Sequence, residues 1–190
     1  FCQGAFPCQP YVLREMRAAK ELAGAEASRE FDDAFTSHIG HVLRNGVRSC
    51  VYGMTRSAFA PTAGNASPDT KHYYRHVSRL AAAFAFLADL SMLAMGGALK
   101  RKEKISGRLG DVLSMLYLVS ATLKRYEDQG RIREDLPLVR WAVRDALYNA
   151  QQGIDGILSN FPVKALARFL RWAIFPMGMS FRPPLDSRNH

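Results

Sequence analysis

Apolar and small residues recur three and four positions apart along most of this chain, which is the spacing of one face of an α-helix. From Glu26 to about Phe59 the inward set reads Phe31, Phe35, His38/Ile39, Val42, Gly46, Ser49 and Gly53, and its glycines predict close packing. The run Ala60 to Pro68 has loop composition. Ser67 then offers an N-cap and Pro68 a helix-starting proline for a second long helix over about Asp69–Gly96. Ser106 reads as the N-cap of a third helix, with Leu109, Val112/Leu113, Leu116, Val119/Ser120 and Leu123 on one face and Gly130 as its C′ stop. Asp135-Leu136-Pro137 restarts the chain as a fourth, with Val139, Ala142/Val143, Ala146/Leu147, Ala150, Ile154, Ile157 and Phe161 inward, and Pro162 breaks it. Shorter helices are predicted at Tyr11–Leu22 and Val163–Ile174. No stretch alternates as a strand does.

The pattern predicts an all-α fold: an up-and-down bundle of four long helices with short flanking helices and an irregular C-terminal tail. Residues 1–10, with Gly4, Pro7 and Pro10, read as an extended lead-in, residues 11–175 as the helical bundle, and residues 176–190 as the tail. At 190 residues, 48% hydrophobic and 23% charged, the chain suits one globular domain. Such a domain buries roughly 70% of its unfolded surface.

Twenty-six Lys and Arg against seventeen Asp and Glu give a formal net charge of +9, which brings polyanionic partners into consideration. The densest cluster, Lys100-Arg101-Lys102-Glu103-Lys104, is interrupted by an acid and reads mainly as solvated helix surface. No aromatic-interleaved basic stripe or reading motif accompanies the charge, so nucleic acid is not an expected partner. The three cysteines, Cys2, Cys8 and Cys50, form no CxxC pair, and a reducing cytoplasm fits them best. The opening Phe1-Cys2-Gln3-Gly4 has the character of a fragment, with no signal peptide to read.

Leu80 to Leu99 is long and apolar enough to be weighed as a membrane span, with Asp89 its one charge. A carboxylate in mid-membrane costs about 2.5–3.5 kcal/mol, while alanines and glycines return almost nothing, which favours a central bundle helix. Asp89 then needs a partner, and an arginine from a neighbouring helix is expected, with Arg48, Arg79 and Arg108 as candidates. His38 and His41, and His72 and His76, each share a helix face. Neither pair is followed by a third ligand, and HYYRH lacks the glutamate of HExxH, so no metal site is expected. Nucleophile triads, a P-loop and a dinucleotide fingerprint are missing from the sequence. The stretch Arg168 to Arg182 mixes arginines with Trp172 and three phenylalanines, which suits either docking on a neighbouring domain or a lipid headgroup region.

The words of the sequence go further. QGAFPCQPYVLREM, HIGHVLRNGVRS, the block from His72 to Gly130 that includes KRKEKISGRLGDVLSMLYL, and the closing NFP and FRPP together resemble the bacterial-type C-terminal domain of acyl-CoA dehydrogenases, from end to end. Phe6-Pro7 departs from the family's aliphatic residue and arginine, and Gln9 from its histidine.

The resemblance implies part of an FAD-dependent enzyme of fatty-acid β-oxidation, acting on medium or long-chain acyl-CoA. Such an enzyme desaturates the thioester and passes electrons to an electron-transferring flavoprotein. It also implies that the catalytic glutamate and most of the flavin site lie upstream, leaving no catalytic residue here, with Glu127 and Asp128 as surface or capping residues. The expected partners are the upstream catalytic domain, acyl-CoA, the flavoprotein and further copies of the chain. The expected location is the cytoplasm, with contact to the inner face of an anionic membrane as an additional reading.

Overall fold

Every long amphipathic stretch that the structure covers is a helix, and the departures from expectation lie at helix ends. The computed structural model describes residues 24–183 apart from 56, 63 and 65, without the side chains of 24–28, 30, 31, 34, 35, 97 and 100. The lead-in of residues 1–10, the helix Tyr11–Leu22, Cys2, Cys8, the side chains of Phe31 and Phe35, and the tail after residue 183 lie outside the described residues. The helices are α1 (Gly24–Met54), α2 (Pro68–Met95), α3 (Glu103–Asp128), α4 (Leu136–Ser159) and α5 (Lys164–Ile174), with tight 3-10 turns at Gly96–Arg101 and Arg133–Asp135. Among the described residues there is no strand, and the fold is an all-α bundle.

Two predicted boundaries are corrected. The first long helix ends at Met54 instead of Phe59, because the backbone turns at Ser57 (φ 70°), whose N–H donates to Tyr52 O at 2.8 Å. The third begins at Glu103 instead of Ser106, since Ser106 N–H already donates to Lys102 O at 3.0 Å. Leu99, 1% exposed, anchors the preceding 3-10 turn in the core, so Lys100 and Arg101 close that turn, Lys102 caps the new helix, and Glu103 and Lys104 open it. Gly130 does stop α3 as its position implies, at φ 85°.

Contacts between helices give the directions. Gly46 of α1 faces Phe86 of α2, and Ser57 just after α1 reaches back to His76, so α1 and α2 run antiparallel. Glu127, at the end of α3, reaches Ser67 and Thr70 at the start of α2. Val112 and Arg108 of α3 lie against Gly153 and Gly156 of α4 in reversed order. Up-and-down alternation thus holds through all four long helices.

The core lies between α2, α3 and α4. Leu80, Leu87, Leu109, Leu123, Leu147 and Ile154 are fully buried there, each contributing about 1.5–3 kcal/mol by removal from water. Among the described helices, α2 alone is long and apolar enough to cross a membrane. In this fold it is packed against α1, α3 and α4.

The α1–α2 contact has a different character. The buried face of α1 carries His38, Val42, Asn45, Gly46, Ser49 and Gly53. A Cβ at Gly46 would sit 3.0 Å from the Phe86 ring, and one at Gly53 would meet the carbonyl oxygens of Ala173 and Ile174 in α5. At these two positions there is no room for a side chain, while Val42 fills the space between them and His38. Of the pair His38/Ile39 read as inward, His38 takes the buried place, and Ile39, 43% exposed, belongs to an outer stripe with Leu43, Val47, Val51 and Met54.

Gly53→Ala therefore places a methyl against rigid backbone, and should lower the unfolding free energy by about 1–3 kcal/mol in urea titration. Gly40, in the same helix with nothing within 4 Å of its would-be Cβ, should gain up to about 1 kcal/mol on replacement by alanine. Equal effects at both positions would contradict the close approach of α1 to α5.

Candidate functional site

The carboxylates come first, because a base for proton abstraction would have to be one of them. Glu127 is committed elsewhere. Its Oε1 accepts the Ser67 N–H at 3.0 Å and the Thr70 hydroxyl, while Arg131 Nε donates to its Oε2 at 2.5 Å. It thereby caps the first turn of α2 from outside, where the exposed N–H groups and the helix dipole favour an anion. Burial alone would raise its carboxyl, but the hydrogen bonds from Thr70, Ser67 and Arg131 outweigh that and hold it below the usual glutamate value. Asp128 sits exposed in an i,i+4 pair with Lys124, 2.8 Å away. The capping reading of Glu127 is what the geometry gives.

Asp89 is buried in α2, and its Oδ2 faces His41 Nε2 of α1 at 3.9 Å; the same imidazole nitrogen is 2.9 Å from Asn45 Nδ2. Among the described residues the cationic group facing it is a histidine, and none of the three arginine candidates is seen paired with it. Arg79 shares α2 with Asp89, ten residues away and so about 15 Å along the axis. Arg108 donates to Lys104 O at 3.3 Å and packs over Gly156, and Arg48 is exposed on α1. The histidine pairs are likewise drawn into packing: His38 is buried, and His72 lies on the Tyr73 ring at 3.7 Å between centroids. Among the described residues no three His, Cys, Asp or Glu side chains are gathered as a metal cluster would need.

What the fold does assemble lies where the C-terminal tail crosses α2. Gln151, fully buried on α4, accepts the backbone N–H groups of Ser180 (2.9 Å) and Phe181 (3.3 Å) on Oε1, and its Nε2 donates to Phe181 O at 3.2 Å. One side-chain amide thus stands in for a strand partner and fixes the tail. The Phe181 ring meets His76 edge-on at 4.8 Å, and Ser180 Oγ accepts from Arg79 Nη2 at 3.0 Å. Arg79 is 2% exposed, with the Phe175 ring 6.0 Å from its guanidinium carbon.

Around these groups is a cavity of about 500 Å³, reached from the surface and lined by His76, Arg79, Ser180 and Arg182 with the Met177–Met179 turn. Burial pushes the Arg79 guanidinium down to about 10, so it stays charged at neutral pH. Burial, then Arg79, then His72 push His76 down to about 4, so its imidazole is neutral there.

Sequence reading places Arg79 with Asp89 and His76 with His72, and treats the tail as irregular. It misses the combination of His76, Arg79, Gln151 and Ser180. One signal was available: Gln151 interrupts an otherwise apolar face between Leu147 and Ile154, and a polar residue there must find buried partners.

The family model described as acyl-CoA dehydrogenase, C-terminal, bacterial type, matches residues 6–190. No solved structure matches the chain.

His76 makes stability depend on acid. Its pKa falls from 6.5 to about 4 on folding, so between those values the unfolded chain takes up a proton that the folded chain refuses. The contribution is fully present above pH 6.5 and is lost as the pH falls toward 4. Urea midpoints across this range should drop for the wild type and drop less for His76→Phe; parallel curves would place the imidazole in water.

Proposed function

Because the chain belongs to the bacterial-type C-terminal domain family of acyl-CoA dehydrogenases, we propose that it packs against the catalytic part of a medium or long-chain enzyme and leaves the chemistry to that part. The observation that carries this reading is the outer stripe of α1. Leu43 and Val47 are each 63% exposed, Met54 56%, Ile39 43% and Val51 40%, spaced three and four apart on one helix face. A continuous aliphatic face of this kind in water is a docking surface in waiting. The rest of the same enzyme is the partner at hand, and a second copy of the chain is the other occupant of the same chemistry.

The described residues do not fit the flavin that the family uses. No strand delivers a glycine-rich turn to a helix N-terminus, and the tail cavity is walled by arginine, histidine and serine instead of a flat apolar slot. FAD, when bound in the upstream part, supplies hydride acceptance there. Abstraction of the α-proton of acyl-CoA needs a carboxylate facing both thioester and flavin. Glu127 is held by Ser67, Thr70 and Arg131 and is not such a base. In this reading no catalytic residue lies in the chain, electrons leave through an electron-transferring flavoprotein, and the enzyme works in the cytoplasm.

A second reading, contact with the inner face of an anionic membrane, rests on α5. Ala167, Leu170, Ala173 and Ile174 dock the helix onto the bundle. Phe169 and Trp172 point outward at 57% and 58% exposure, 6.2 Å apart between ring centroids. Outward aromatics on a basic helix suit the headgroup layer.

Acyl-CoA oxidation with an artificial electron acceptor should appear only when the upstream region is joined to this chain. Leu43→Asp with Val47→Asp should then cut that activity and weaken sedimentation as an assembly, while the helix signal of the domain stays intact. Full activity in the doubly substituted enzyme, or turnover by the chain alone, would overturn the docking role. Flotation with anionic vesicles that is lost on Phe169→Ser with Trp172→Ser would favour the membrane reading.

A further inference from the structure

The cavity under the tail contains a charge with no described counterion. Arg79 is 2% exposed, its Nε makes no hydrogen bond, and Nη2 reaches only the neutral hydroxyl of Ser180. Ion pairs of described carboxylates with other cations include Asp69 with Arg140, Glu127 with Arg131, Asp155 with Arg171, Asp128 with Lys124 and Asp89 with His41. A guanidinium removed from water costs several kcal/mol unless an anion offsets it, and a phenylalanine ring 6.0 Å away offsets only a fraction.

We propose that the cavity bounded by Arg79, Arg182, His76 and Ser180 binds a phosphate monoester. The cavity opens to solvent, and the lining residues Met177–Ser180 and Arg182 are exposed, so an anion can enter without unfolding the tail. Arg79 at the base and Arg182 at the mouth match the two negative charges of a monoester, whereas a carboxylate would balance only one. A guanidinium fork suits the tetrahedral oxygens, and the Ser180 hydroxyl and the His76 imidazole add neutral hydrogen-bonding groups on the same wall. Gln151 holds Ser180 and Phe181 by their backbone, so the far wall is positioned before any ligand arrives. Nothing in this site draws on the outer stripe of α1 or on flavin chemistry.

The monoester has two sources, a small soluble molecule or the headgroup of a lipid such as phosphatidate. Thermal unfolding of the full-length protein with inorganic phosphate, against chloride of matched ionic strength, tests the site first. Phosphate should raise the midpoint beyond chloride. Arg182→Ala, a surface change, should weaken phosphate affinity by about tenfold, the loss of one charge-assisted hydrogen bond, while leaving the phosphate-free midpoint in place. Arg79→Met should abolish the phosphate effect and raise the phosphate-free midpoint, because the uncompensated charge is gone. Glycerol 3-phosphate binding without sedimentation on phosphatidate vesicles would assign the soluble source, and the converse the headgroup. No phosphate effect beyond chloride, or an undiminished effect in Arg182→Ala, would overturn the proposal. So would an Arg79→Met protein that is destabilised yet still responds to phosphate.

Discussion

Burial of α2 is the constraint on which the rest of the bundle depends. Between Leu80 and Leu99 it offers water almost nothing but hydrocarbon, and a helix of that composition is stable only if neighbours cover most of its circumference. The fold meets this with two unlike surfaces. On one side α3 and α4 supply leucine, valine and isoleucine at core spacing, and on the other α1 supplies small and polar residues that let backbones approach. Asp89 falls on the α1 side, where His41 and Asn45 can share its polar surroundings. Placed toward α3 and α4, the carboxylate would have faced an apolar wall.

The same division of labour explains why α1 has an aliphatic outer face. With glycines, serine, asparagine and histidine taking most of the inner face and Val42 its one buried aliphatic among the described residues, Ile39, Leu43, Val47 and Val51 turn outward. In a domain that works alone this would be a liability. Under the docking role proposed above, it becomes a joint with the rest of the enzyme.

The tail shows how a few polar atoms can organise an irregular segment. Without a helix or a sheet edge of its own, the backbone at Ser180 and Phe181 finds its hydrogen bonds on Gln151, and from there positions the hydroxyl that receives Arg79. Burial of Gln151, neutralisation of His76 and retention of charge on Arg79 are therefore linked through about three residues of coil. Among the described residues, Arg79 is the arginine or lysine that becomes buried, at this place.

Hydrophobic period, chain-stopping residues and characteristic words are local properties, so the five described α-helices, the inward faces of α1, α3 and α4, the stop at Gly130 and the family are all legible in the sequence. It also marked Glu127 as a surface or capping residue, and the structure has it cap a helix that is not its own. The tertiary structure was needed to choose between His38 and Ile39 on the inward face of α1, and to show that Gly53 lies against the backbone of α5 and Gly46 against the Phe86 ring. It likewise decided that Asp89 meets His41 and that Arg79 turns to the tail. Both outcomes depend on which helix lies opposite and in what direction, and a one-dimensional pattern carries no information about either.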